Sequence, residues 1–201
     1  MGIMAKAKDG EKEYRLCSPG AHTAICNMVV DVGMQQTGYG PKHKVYFRFE
    51  IPGERVEWEK DGQKHEGPLS IGQFFTVSLS QKSTLRGFLE SWRGRAFTKQ
   101  ELDGFDLFNV AGVPCILNVV HNTVETGKTY ANIKAIMPLP KATAKPKPEN
   151  PVLKYSPDAP GDKDKLPEWL KEKISKAVNV TPEDEPQTVA AGDDFSDEIP
   201  F

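Results

Sequence analysis

Apolar and polar side chains alternate along residues 45–51, with Val45, Phe47, Phe49 and Ile51 on one face and Tyr46, Arg48 and Glu50 on the other. A period of two over seven residues describes a strand with one buried face. Residues 21–32 form a longer run in which Ala24, Cys26, Met28, Val30 and Val32 share a face, and Phe75, Val77 and Leu79 do the same within residues 73–80. Pro52-Gly53 ends the second strand on this reading. Asp61-Gly62 is a strong two-residue turn signal, so residues 56–59 and 64–67 form a protruding hairpin. The period then changes. Leu85, Phe88, Leu89 and Trp92 recur at i, i+3, i+4 and i+7, with Ser83 as cap, Gly94 as stop and Trp92 in the core. Thr98 and Glu101 make a capping box for a second short helix, and Phe105, Leu107, Phe108 and Val110 close over the core. Residues 114–120 and 129–137 return to strand around a polar turn containing Gly127, and Pro138 and Pro140 end the domain.

Three strands, a helical insert and two more strands is the order of an OB-fold, the five-stranded Greek-key barrel whose gap between the third and fourth strands takes a helix. The predicted class is therefore mainly β, with an OB domain at residues 15–140. Residues 1–14 are polar and expected to be disordered. Residues 141–165 read as a Lys/Pro-rich, semi-rigid linker. Residues 166–178 form a candidate short helix with Leu166, Trp169, Leu170, Ile174 and Ala177 on one stripe, which either packs back on the barrel or docks to a partner. Residues 179–201 are an acidic tail expected to be disordered.

Composition narrows the chemistry. No run of 18 apolar residues occurs and the N-terminus lacks a signal-peptide core, so the expectation is a cytosolic chain with no membrane association. The three cysteines, Cys17, Cys26 and Cys115, read as reduced apolar residues. Cys17, His22 and Cys26 lack a fourth ligand and a familiar zinc spacing, so neither metal nor cofactor is expected. His22, His43, His65 and His121 are scattered without partners at motif spacing, and no phosphate-binding loop is present, so no enzyme is expected. The net charge of −2 hides an asymmetry: residues 181–201 hold seven acids and no base, leaving +5 on the first 180. A basic body with an acidic tail suits a polyanion binder.

Single-stranded nucleic acid needs cations along a groove and flat rings for the bases. The outward and loop positions supply both. Tyr39, Lys42, His43 and Lys44 lie in or beside the first long loop, and Tyr46 and Arg48 on the adjoining strand. Arg55, Trp58, Lys60 and Lys64 lie on the hairpin. Phe74 is out of phase with its strand's core face, Arg93 and Arg95 follow the helix, and Tyr130 and Lys134 point outward on the last strand. Nothing points to base-edge readout.

The chain closes on D-D-F-S-D-E-I-P-F, in which Asp194, Phe195, Asp197, Glu198, Ile199, Pro200 and Phe201 combine rings, a proline bend and carboxylates. Such a package fits a pocket with an apolar floor and a basic rim. Ordinary residue usage puts Ile-Pro-Phe at a terminus in roughly one chain in ten thousand, which sets a mere solubilising tail aside. This tip resembles that of the bacterial single-stranded-DNA-binding proteins, with Ser196 and Glu198 where that family usually has aspartate. The segments at residues 83–98 (S-x-L-R-x-F-L-E-S-W-R-G-R-x-F-T) and 131–140 (A-x-I-K-A-I-M-P-L-P) are similar to those of the OB-fold single-stranded-DNA-binding proteins of tailed bacteriophages. The resemblance implies coating of single-stranded DNA by the body, and docking of replication, recombination and repair proteins on the tip. An RNA-binding OB protein and a tip-bearing interaction protein without nucleic-acid binding are the rival expectations, and a homo-oligomer is left open.

Overall fold

The computed structural model describes residues 15–60 and 62–178, Lys60 by its backbone alone. Segments 1–14 and 179–201, including the tip from Asp194 to Phe201, lie outside the described residues, as does Asp61. The described chain is mainly β. Five strands run antiparallel in the order β3-β2-β1-β4-β5: β1 (Gly20–Thr37), β2 (Gly40–Lys60), β3 (Gln63–Thr76), β4 (Pro114–Thr123) and β5 (Thr129–Pro138). A sixth, β6 (Leu153–Tyr155), pairs in parallel with β1. The sheet is not closed. β3 and β5 come within 8 Å of each other, but no hydrogen-bonded ladder joins them.

The helical insert sits at that opening. α1 (Thr84–Arg93) packs on β5 and β3, burying Leu85, Leu89 and Trp92. Ser83 Oγ accepts from the Arg86 amide at its start, and Gly94 ends it at φ 68°, a left-handed conformation that costs glycine nothing. α2 (Lys99–Asp103) begins with the expected Thr98–Glu101 capping box. A 3-10 turn at Leu107–Val110 then leads into β4.

β1 explains why the described residues form two apolar clusters. From Ala24 to Val30 every side chain is almost completely buried, polar Asn27 included. A register shift against β2 between Cys26 and Met28 breaks the alternation. Ala24, Cys26 and Val29 consequently face the inner core with Val45, Phe47, Phe49 and Phe75. Met28, Val30 and Val32 face the other way, correcting the expectation that all five apolar positions share one side. β2 likewise departs from expectation: it continues through Pro52-Gly53, which lie in a second irregularity between Ile51 and Arg55. A bulge removes the ladder bond that proline could not donate.

The outward cluster is covered by the segment expected as a spacer. β4 pairs with β1 only from Gly20 to Ile25, and β6 takes the same edge from Met28 to Val30. α3 (Glu168–Ser175) follows, and Leu153, Tyr155, Leu166 and Leu170 pack on Met28, Val30, Val32 and Tyr46. Each such leucine removed from water contributes about 1.5–3 kcal/mol. Gln35 Nε2 donates to the Lys173 carbonyl at 3.1 Å, and the Val178 amide donates to the Met34 carbonyl at 2.8 Å, so the cover runs along β1 to its far end. Among the described residues no helix is long and apolar enough to cross a membrane.

Candidate nucleic-acid interface

β2 carries most of the residues singled out for nucleic acid, and its two faces meet different fates. Tyr46 is in the expected outward phase, yet it is only 7% exposed because α3 lies over it. Its ring meets Phe74 at 4.7 Å and the edge of Trp169 at 5.3 Å, and burial pushes its hydroxyl up to about 12. Phe74 is held in the same cluster, with Lys173 Nζ 4.6 Å from its ring centroid. The Tyr46 ring is closed to a base, which corrects that assignment, and Phe74 is half-buried against the same cover.

Arg48 is corrected too. Its Nε donates to Asn27 Oδ1 at 3.1 Å, and desolvation lowers its pKa. Beside it Glu50, fully buried, accepts from Asn27 Nδ2 (3.2 Å), the Glu149 amide (2.6 Å), and the Asn150 amide and Nδ2 (3.0 and 2.7 Å). This carboxylate fixes the start of the covering segment. A buried carboxylate is tolerable only when its lone pairs are filled in this way.

Other expected cations are engaged by acids. Arg55 reaches Glu66 Oε1 at 2.9 Å and Glu149 Oε1 at 2.5 Å. Arg93 and Arg95 converge on Glu101, Arg95 through two bonds of 2.9 and 2.7 Å, and Arg93 also lies over Phe97 and Phe105. With the Thr98 amide, these hold the Glu101 carboxyl down at about 2, the Arg95 bonds being the largest cause. Arg93 and Arg95 therefore build the α1–α2 corner, Arg93 largely buried there and Arg95 still 55% exposed.

Three exposed places remain. Tyr39, 61% exposed, tips the turn between β1 and β2, with the half-buried Lys42 and Lys44 following on β2. Lys128 Nζ lies 5.7 Å from the Tyr130 ring at the β4–β5 turn, and Lys134 is exposed further along β5. The third is the β2–β3 hairpin, where Trp58 is 46% exposed and stacks on His65 with centroids 5.8 Å apart and planes 16° apart. A side chain at Gly67 would meet Trp58 Cη2 at 2.9 Å, so glycine makes room for the indole. Trp58 pairs directly with His65, while Glu57 pairs with Glu66 and Glu59 with Lys64. Alternation puts those acids and Lys64 on the opposite face from the two rings. His65 was missed as a partner, although counting back from the Asp61-Gly62 turn sets it across from Trp58.

The described chain thus presents one flat aromatic face whose described strand positions carry no carboxylate, and an outward face closed by its own C-terminal segment. No protein-family model and no curated protein matches this chain.

Proposed function

We propose that the chain binds single-stranded DNA with little sequence preference, on an open variant of the OB barrel, and engages replication, recombination or repair proteins through residues 194–201. The observation that carries the reading is the Trp58–His65 pair, on a hairpin face whose described strand positions carry no acid. Base–aromatic stacking tolerates any base and contributes roughly 1–3 kcal/mol per ring. The strand path and the helix between β3 and β4 support the barrel assignment.

Anisotropy titration with dT and rU oligomers tests the reading. Trp58→Ala is expected to weaken dT binding by about 1–3 kcal/mol. With about four phosphates neutralised, log K falls against log salt with a slope near −3. Tighter binding of rU assigns the protein to RNA, and failure to bind either oligomer leaves the interaction-protein reading.

A further inference from the structure

Three side chains that the interface does not use meet where the chain enters β1. Cys17 Sγ, a ring nitrogen of His22 and a carboxylate oxygen of Glu54 all lie within 4.8 Å of one another. Cys17 is 2% exposed, and the His22 and Glu54 side chains are 13% and 12% exposed. His22 Nε2 lies 2.7 Å from the Ser18 carbonyl, which can only accept, so that nitrogen carries a proton. Nδ1 is then turned to Glu54 Oε1 at 4.0 Å. That distance is too long for a bridging proton. Zinc bonds of about 2.0–2.2 Å to nitrogen and oxygen span it after closure of about 1 Å or less.

We propose that Cys17, His22 and Glu54 bind one zinc-type divalent ion, with water or the Ser18 hydroxyl completing a tetrahedron. A thiolate, an imidazole and one carboxylate select zinc or cobalt over magnesium and calcium. The surrounding contacts orient the ligands as outer-shell partners do. Arg15 Nη2 holds Glu54 Oε2 at 3.1 Å, and Oε1, which accepts from the Ser18 hydroxyl, is left toward His22. His121 Nε2 donates to the Cys17 carbonyl at 2.7 Å. Without an ion, burial and the Glu54 charge push the Cys17 thiol up to about 11; binding releases its proton to solvent. The ion ties the entry to β1 to the irregular part of β2, at the foot of the hairpin that carries Trp58.

The test is cobalt titration of the full, tag-free chain after chelator dialysis. The expected result is one Co2+ per chain, with a thiolate-to-cobalt charge-transfer band and tetrahedral visible bands, displaced by equimolar Zn2+. Cys17→Ser removes the charge-transfer band. Glu54→Gln, a milder change for folding, keeps that band but weakens affinity by at least the roughly 10–100-fold typical of outer-shell losses. Cys115→Ala leaves binding unchanged. Absence of the band in the folded wild-type chain overturns the proposal, as does equal binding by the Cys17 and Glu54 variants; a lone His22–Glu54 ion pair produces the first of these results.

Discussion

At the scale of single residues, two positions show how local chemistry sets stability. Glu101 gathers Arg93, Arg95 and the Thr98 amide, and its carboxyl is held near 2 in the folded chain against about 4.3 when unfolded. A depressed carboxylate adds stability above its unfolded pKa and loses it as pH falls toward the folded one. Glu101→Gln is therefore expected to be less stable than wild type at pH 6, with the gap in urea midpoint closing between about pH 4.3 and 2. Gly72 makes the second case. A Cβ there would stand 1.9 Å from Tyr46 Oη, so the ring crosses β3 only because that position is bare. Gly72→Ala is expected to cost about 1–3 kcal/mol in urea unfolding, as overpacking does. An unchanged midpoint would place the Tyr46 ring elsewhere.

At the scale of elements, signals confined to a few neighbouring residues were legible. The cap at Ser83, the capping box at Thr98 and the stop at Gly94 each depend on backbone groups within four positions, and all three stand where the pattern puts them. Alternation over residues 45–51 also gave the right face for Val45, Phe47, Phe49 and Ile51. A bulge has no such signature: Asn27 differs little from any polar residue in a strand, yet the shift beside it sends Met28 and Val30 to the opposite side. Tyr46 and Phe74 as outward aromatics fit a ligand face and a covered face equally well from phase alone. Glu50 decides for cover, through amides about 100 positions away. Glu50→Gln places an amide donor among donors and is expected to cost about 1–3 kcal/mol. Hydrogen exchange checks it: residues 153–155 and α3 lose protection while α1 keeps it.

On the scale of the whole molecule, the stripe of Leu166, Leu170 and Ile174 was legible as amphipathic, and the packed-back option is the one observed. The tip remains a sequence inference, and it separates from the body by experiment. Deleting residues 193–201 is expected to leave DNA affinity equal or slightly higher, most visibly at low salt, because acids near a +5 body compete with phosphate over about 8–10 Å. Phe201→Ala is expected to abolish partner docking in a pull-down with the same DNA affinity, since it removes a ring and no charge. Docking that survives this change would reduce the tip to a charged tail.

The parallel pairing of β6 with β1 also fixes an order of events. Met28 meets Leu153, 125 positions later in the chain. Contacts so remote in sequence close late, because the entropy of the intervening loop must be overcome first. At roughly 5–20 residues per second, a ribosome needs about 6–25 s to supply β6 after Met28 has been made. For that interval Met28, Val30, Val32 and Tyr46 stand uncovered beside a strand edge that β4 does not reach. The nascent chain thus carries an aggregation-prone edge until β6 is made, and chains that end before β6 keep that exposed edge.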